Sequence, residues 1–240
     1  MYFGHARTVQ WSLEVAALAA RHPAVAGGRV ELLVLPTFLS IPAAVQIFDG
    51  LVGVGAQNLS EHDSGAFTGE VSGAELAELG AVAVEVGHAE RRTLFGETDA
   101  VVRAKTAAAL RHGLTPVLCV GEKLQGDPEA AAQECIRQFD DALQDSRALG
   151  LPGRIVVAYE PYWAIGAATA APIHHIRAVC GPLRDHVRAS RGATSQVIYG
   201  GSAGPGLLAR LNGSVDGLFL GRFAHDPAAV GSVLDEVIAP

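Results

Sequence analysis

The sequence predicts an α/β fold, a (β/α)8 barrel that forms a single domain over residues 1–240 and whose first strand is missing from the chain. Three observations predict it. Short apolar runs alternate with helix-like segments along the whole chain. Most of these runs are apolar throughout, as in strands buried on both faces of a parallel sheet. The length of 240 residues is close to the roughly 250 of a typical barrel of this kind.

The order of the elements follows the barrel pattern. A helix-like segment at about residues 8–22 comes first. Seven apolar runs, each followed by a helix-like segment, come after it, so the pattern is one strand short of a full barrel and the missing strand is the first. The runs cover residues 29–36, 51–57, 81–87, 115–121, 154–160, 195–201 and 215–221.

Several helix ends carry local signals. Ser72 with Glu75 three residues later forms a capping box, and Gly113 closes a helix. Gly181-Pro182 predicts a kink or a break in the helix that follows the stretch "AATAA" (167–171). Three prolines stand where the first turn of a helix is expected: Pro42, Pro128 and Pro172.

An open, doubly wound sheet is the alternative fold. It would need a glycine-rich turn after its first strand, but "GVGAQN" (53–58) has no third glycine at the required offset. The chain also lacks a G-x-x-x-x-G-K-[ST] phosphate loop. The barrel is therefore favoured.

Composition excludes several classes of function. The net charge is −7 and no block of Lys or Arg occurs, so we expect neither nucleic acid nor a membrane surface as a partner. Three cysteines without paired spacing predict reduced thiols. "MYFGHARTVQ" has no signal-peptide core, and no apolar run approaches the roughly 20 residues of a spanning helix. We expect a soluble, cytoplasmic protein.

Candidate chemistry lies directly after the strands, because barrel active sites form at the carboxyl ends of the strands. His88 and Glu90 follow residues 81–87, and Glu160 ends residues 154–160. Glycine-rich turns at residues 200–206 and 221–226 are typical of a phosphate site. A carboxylate and an imidazole beside an anion site suit proton transfer next to a carbonyl.

Each of these signals also has a structural interpretation. A single histidine at a strand end is more often a structural residue, most glycine-rich turns are only turns, and "GHAERR" (87–92) could simply start a helix. A metal site is rejected, since the adjacent His174 and His175 point apart on a helix and cannot act as an i, i+4 ligand pair.

Taken together, the motifs resemble the triosephosphate isomerase family. "AYEPYWAIG" (158–166) matches the family signature A-Y-E-P-[VY]-W-A-I-G, and "GHAERR" (87–92) is similar to its G-H-S-E-R-R. The resemblance runs from about residue 30 to the end, in family order. Further matching segments are "AQN" (56–58), "GAFTGE" (65–70), "FGE" (95–97), "CVGEKL" (119–124), "YGGS" (199–202) and "VDGLFLG" (215–221).

The resemblance implies roles for individual residues. Glu160 would be the base that moves a proton between two carbons, His88 the neutral electrophile, and Glu90 a support beside them. The loop after Glu160 would close as a lid over the substrate. Gly166, Ser202, Gly221 and Arg222 would line the phosphate site, while Pro161 would start the hinge, Tyr199 would brace the closed lid and Trp163 would reach Glu122 when the lid is open.

The resemblance also implies a homodimer. The long loop within residues 58–70 has an apolar tip at Phe67, and Thr68 stands where the family's threonine touches the partner's active site. The alternative is a flexible surface loop. Neither a cofactor nor a metal is implied.

The chain departs from the family in three places. The family's first strand ends in N-x-K-M, and Met1 aligns with that M, so the Asn and Lys are absent. We expect that the sequence starts late; otherwise the protein is a weakened enzyme, with a loss of about 10²–10³ in rate, or a non-catalytic binder. "AATAA" (167–171) replaces a common T-G-K-T-A, and Arg222 replaces a glycine.

The predicted function is therefore aldose–ketose isomerisation of a small sugar phosphate through an enediolate. Glyceraldehyde 3-phosphate and dihydroxyacetone phosphate, the triose phosphates of glycolysis and gluconeogenesis, are the first substrates that the resemblance implies. The alternatives are a tetrulose phosphate such as erythrulose phosphate, and a barrel that only binds a phosphorylated metabolite.

Overall fold

The computed structural model describes residues 1–238 and contains a parallel sheet of seven strands. Each strand lies beside its neighbours in the sequence, which is the topology of a (β/α)8 barrel. Residues 239–240, the end of the predicted domain, lie outside the described part, and the single domain stays a prediction. The strands, β1 to β7, are Leu33–Val34, Gly53–Ala56, Ala83–Val86, Thr115–Val120, Val156–Tyr159, Gln196–Tyr199 and Gly217–Leu218.

Helices occupy the connections between the strands. Short 3₁₀ turns cover Phe38–Ser40, Tyr162–Ala164 and Arg222–His225. The α-helices of the described residues, α1 to α11, are His5–Arg21, Pro23–Ala26, Ile41–Phe48, Gly73–Glu78, Ala89–Leu94, Asp99–Arg111, Pro128–Ala142, Gln144–Ala148, Ile173–Arg191, Leu207–Leu211 and Pro227–Ile238.

The sheet has two edge strands. In residues 1–238, β1 pairs only with β2 and β7 pairs only with β6. Helix α1 precedes β1, in agreement with a pattern that is short of its first strand. Trp11 on α1 donates a hydrogen bond from Nε1 to the carbonyl oxygen of Ala224 at 2.8 Å, which ties α1 to the turn after β7.

Side chains alternate between two apolar layers. Residues such as Val84, Leu118 and Val157 face the helices and belong to the larger cluster of the core. A smaller cluster lies on the opposite, inner face of the strands and consists of Ala83, Val117, Cys119, Val156 and Ala158. Both faces of β3 to β5 are buried, which explains why their sequences are mostly apolar without alternation; Glu85 on β3 is the charged exception.

Most local signals act where the sequence places them. The Ser72 hydroxyl accepts a hydrogen bond from the backbone N–H of Glu75 at 3.1 Å, and Gly113 has a φ of +72° just after α6. The predicted break at Gly181-Pro182 is wrong in one respect, because α9 continues through Pro182 as a single helix. Its buried face, which includes Val179 and Leu183, packs in the core and outweighs the lost hydrogen bond.

Candidate active site

The ends of β3, β5 and β6 bring three segments together. Gly87 follows β3 with a φ of +74° and turns the chain so that His88 starts α5. Glu160 follows β5 directly, and Gly200 follows β6. Since parallel strands end at the same edge of the sheet, these residues meet there although they are far apart in sequence.

His88 points one ring nitrogen into the site. Its Nδ1 accepts a hydrogen bond from the backbone N–H of Glu90 at 3.2 Å, so the proton of the neutral ring lies on Nε2. Nε2 is 3.5 Å from Oε2 of Glu160. Burial lowers the pKa of His88, and the charge of Glu90 opposes that shift. The imidazole is thus presented as a neutral N–H donor beside the carboxylate.

Glu160 is held in a narrow, buried position. It is 4% exposed, and its Oε2 is buried without a hydrogen-bond partner. A Cβ at Gly121 would lie 2.1 Å from the Glu160 carbonyl oxygen, and a Cβ at Gly200 would lie 2.6 Å from its Cγ. The two glycines therefore fix the carboxylate by letting the backbone approach closely.

Burial also sets the protonation of Glu160. It raises the pKa of Glu160 well above its ordinary value, and repulsion from Glu85 raises it further. A carboxylate with a raised pKa is a stronger base than an exposed one. An unpaired, buried oxygen beside an imidazole N–H is an arrangement that suits proton transfer to and from a carbon acid.

Glu90 lies at the rim of the site. Its side chain is 65% exposed, and its Oε2 is 4.0 Å from Nδ1 of His88. Its backbone N–H, which fixes the histidine tautomer, is its closest contact with the site. The supporting role that the sequence assigns to its carboxylate stays a prediction.

The segment after Glu160 forms a compact loop. Pro161 leads into the 3₁₀ turn Tyr162–Ala164, and Gly166 has a φ of +72°. Nε1 of Trp163 donates to Oε1 of Glu122 at 2.8 Å. The phenol of Tyr159 donates to the same oxygen at 3.1 Å. The start of the loop is thereby anchored to a buried carboxylate on the β4 side.

The end of the loop is anchored to β6. The Tyr199 hydroxyl accepts a hydrogen bond from the backbone N–H of Ala171 at 2.9 Å and donates to the Gly201 carbonyl at 2.7 Å. The resemblance assigned this brace to a closed lid and the contact of Trp163 with Glu122 to an open one. The structure contains both contacts together.

The residues predicted to line the phosphate site lie around this loop. The Ser202 hydroxyl bonds to the carbonyl oxygens of Ala164 and Ala167, each at 2.9 Å. Ser202 has a φ of +51°, in the left-handed region that non-glycine residues adopt only uncommonly. Nη2 of Arg222 donates to the Gly166 carbonyl at 3.0 Å, and Gly221 directly precedes this arginine.

One part of the predicted anion site is already filled by a carboxylate of the protein itself. The backbone N–H groups of Gly206 and Ala209 at the start of α10 donate to the carboxylate of Glu236, at 2.6 and 2.8 Å. The glycine-rich turn after β6 therefore places Ser202 against the loop, while its helix start is already capped.

The loop within residues 58–70 stands apart from the site. Phe67 is 41% exposed and stacks on His62 with ring centroids 3.8 Å apart, and Thr68 is also exposed. Asp63 bonds to Arg111 and His112, which fixes the base of the loop on α6. Hydrogen bonds from both partners lower the pKa of Asp63 to about 2.

Sequence reasoning missed four residues of the site. Gly121 and Gly200 wall in Glu160, and their signal was a glycine one residue beyond a strand. Nε2 of His175 lies 3.1 Å from both Glu122 Oε1 and the Tyr159 hydroxyl, which no local pattern indicates. Glu85 lies beside His88, and its signal was a lone charge inside the apolar run "AVAVEVG" (81–87).

Comparison with known proteins decides the family. The sequence model of triosephosphate isomerase matches residues 1–237. The chain belongs to the triosephosphate isomerase family. The L-erythrulose-1-phosphate isomerase of Pectobacterium atrosepticum is 50% identical over 238 residues, 98% of this chain and 92% of that protein. The triosephosphate isomerase of Mycobacterium avium is 42% identical over 182 residues, 72% of this chain and 69% of that protein.

A solved structure confirms the fold of this family member. The crystal structure of triosephosphate isomerase from Bartonella henselae is similar with a TM-score of 0.83 at 28% sequence identity. The similarity covers 100% of this chain and 96% of that chain. The seven parallel strands are thus part of a (β/α)8 TIM barrel, and the protein is an isomerase of a family that acts on small phosphorylated sugars.

Residues 1–238 also bear on membrane and metal sites. No helix in this range combines the length and the apolar composition needed to cross a bilayer. Nor does the range contain three or more His, Cys, Asp or Glu side chains grouped so that they could hold a metal ion.

Proposed function

We propose that this family member isomerises a phosphorylated four-carbon ketose, L-erythrulose 1-phosphate. One observation carries the proposal: the 50% identity with the Pectobacterium isomerase extends over 98% of the chain. The match with the mycobacterial triosephosphate isomerase covers 72% of the chain at 42% identity. Similarity over nearly the whole chain takes in the loops after the strands, which supports the four-carbon substrate over the triose.

The chemistry is a proton shift between neighbouring carbons. Glu160 takes the proton from the hydroxylated carbon beside the carbonyl, on the side away from the phosphate. The resulting enediolate oxygen receives a hydrogen bond from Nε2–H of His88, 3.5 Å from the carboxylate in the structure. His88 gives its Nε2 proton to this oxygen and takes the hydroxyl proton from the oxygen on the neighbouring carbon, while Glu160 returns the carbon-bound proton to the former carbonyl carbon. The carbonyl moves by one carbon and the formula is unchanged.

The phosphate would bind between the loop and the turns after β6 and β7. Gly166, Ser202 and Gly221 provide polar groups there, and Arg222 adds a positive charge. The loop itself, anchored by Tyr199 and Glu122, would cover the enediolate and keep water from it. Pro161 and Trp163 form the rigid start of that cover.

We also propose that the active unit is a homodimer joined through residues 58–70. The exposed apolar side chain of Phe67 at the tip of a well-anchored loop supports this assembly.

The test compares two substrates in D₂O. L-erythrulose 1-phosphate and dihydroxyacetone phosphate are incubated separately with the protein, and proton NMR follows loss of the carbon-bound proton next to each carbonyl. We expect faster exchange and turnover with the four-carbon substrate. Faster turnover of the triose phosphate would instead support triosephosphate isomerisation, the activity named for the mycobacterial relatives.

The base is tested with Glu160→Gln. The variant keeps the shape of the side chain but cannot accept a proton, so we expect kcat to fall by about 10²–10⁴-fold. Glu78→Gln, on the exposed end of α4, is the matched control and should leave exchange unchanged. Exchange by Glu160→Gln at the wild-type rate would contradict the proposed mechanism.

A further inference from the structure

Glu85 is a buried carboxyl that the proposed reaction does not use. It lies on β3 between Val84 and Val86 and is only 8% exposed. Its strand neighbours Val84 and Val86 belong to the cluster under the helices, so alternation along the strand turns Glu85 to the inner face. A charged residue on a strand that is buried on both faces is costly unless it is paired, hydrogen-bonded or neutralised by a proton.

Its contacts are those of the candidate site. Oε1 of Glu85 is 3.9 Å from Nε2 of His88, the same ring nitrogen that faces Glu160 at 3.5 Å. The thiol of Cys119 donates to Oε1 of Glu85 at 3.8 Å and also interacts with Glu160. The imidazole and the thiol therefore connect two carboxyl groups in one buried pocket.

Within residues 1–238, the two carboxyl groups have no close cation from Lys or Arg. Of residues 1–238, no Lys or Arg side chain lies within 4.0 Å of either carboxyl group. Burial, followed by repulsion from Glu90, raises the pKa of Glu85 to about 8. The charged or titratable groups that face Glu85 or Glu160 are His88, Glu90, Arg91, Glu97 and Cys119.

We propose that Glu85 is a positioning residue of the isomerisation, which shares one proton with Glu160 and thereby sets the pH at which Glu160 becomes a charged base. Two buried carboxyl groups that lie against the same imidazole nitrogen cannot both ionise readily, so they titrate as a pair. With one proton between them the pair carries one negative charge, and the reaction needs that charge on Glu160. The four-carbon or three-carbon substrate meets that charge, not Glu85.

The kinetic test uses Glu85→Gln and Glu85→Leu. Glu160 must be ionised to act as a base, so kcat/KM rises with pH through the pKa of the pair. Removing Glu85 removes a repulsion, lowers the pKa of Glu160 and should move the acidic limb to lower pH by about one unit. A purely structural role would lower kcat/KM at every pH without moving its midpoint, and that result in both variants would overturn the proposal.

A second measurement needs no catalysis. Protein labelled with ¹³C at the glutamate carboxyl carbon is titrated by NMR, with Glu85→Gln and Glu160→Gln assigning the two signals. We expect each substitution to lower the titration midpoint of the remaining carboxyl, while Glu78→Gln changes neither. Midpoints that are unaffected by the other substitution would overturn the coupling.

The two measurements separate this inference from the proposed function. Only the kinetic test rests on the proposed function, because the titration needs no substrate. Coupled titration without turnover of either sugar phosphate would support the pair and contradict the isomerase substrates. Turnover whose kcat/KM profile keeps its acidic limb in place, together with independent titration midpoints of the two carboxyl groups, would support the isomerase activity. It would also show that Glu85 has no part in that activity. Glu85→Leu makes the strand apolar throughout, so the kinetic test can still be carried out if Glu85→Gln folds poorly.

Discussion

At the scale of single residues, the site depends on glycines, which have no side chain, as well as on its polar side chains. Glu160 can occupy its position because Gly121 and Gly200 have no side chain. The neighbouring His88 is directed by one backbone N–H, that of Glu90. Close backbone contacts of this kind decide whether Glu160 can reach the reacting carbon while His88 reaches the oxygen bonded to it.

Gly200→Ala tests this dependence. The added Cβ would lie 2.7 Å from Oε1 of Glu160, so the carboxylate must move. We expect kcat/KM to fall by about 10²-fold, since a displacement near 1 Å is enough for such a loss. The control is Gly126→Ala, where a Cβ meets nothing within 4 Å. Steady-state kinetics on the better substrate measures both, and equal activity of the two variants would contradict the steric role of Gly200.

At the scale of elements, the loop after β5 is held at both ends by buried polar groups. Glu122 accepts hydrogen bonds from Trp163 and Tyr159 at one end, and His175 on α9 lies against the same carboxylate. Tyr199 holds the other end. These anchors restrict the loop to few arrangements, which suits a cover that must close in one geometry.

Tyr199→Phe removes one anchor. The backbone N–H of Ala171 would lose its acceptor in a buried position, which typically costs about 1–3 kcal/mol. We expect kcat to fall about tenfold and an enediolate by-product, free inorganic phosphate, to increase. Tyr2→Phe, at a tyrosine that is 71% exposed, is the matched control. Wild-type kcat and by-product levels in Tyr199→Phe would show that the loop does not need this hydroxyl.

At the scale of the whole molecule, exposed apolar side chains bear on whether the protein forms a dimer. Phe67 projects from the loop at residues 58–70, and Leu94 and Phe95 at the end of α5 are 73% and 66% exposed. Exposed apolar side chains of this size are costly in a monomer and are typical of contact surfaces. The proposed homodimer would cover Phe67 and bring Thr68 toward the partner.

Phe67→Asp tests the dimer. A charge at the loop tip would be buried without a partner in the interface, so we expect a dimer for the wild type and a monomer for the variant by light scattering after size exclusion. Leu124→Asp, an 82% exposed leucine in the connection between β4 and α7, should remain dimeric. A wild-type protein that is monomeric at micromolar concentration would contradict the proposed assembly.

The sequence by itself determined the elements and the chemistry that local patterns can encode. The order of strands, the cap at Ser72, the helix end at Gly113 and the presence of Glu160 and His88 after β5 and β3 all follow from residues a few positions apart. The ordered motifs also pointed to the family that the comparisons show.

Only the tertiary structure decided how distant residues meet. The continuity of α9 through Pro182, the carboxylate of Glu236 on α10 and the place of Glu85 beside His88 depend on packing across the barrel. The physical reason is the distance along the chain between the residues that interact. Caps and turns are local hydrogen bonds within about four residues, whereas contacts and burial across the sheet exist only once the strands have paired.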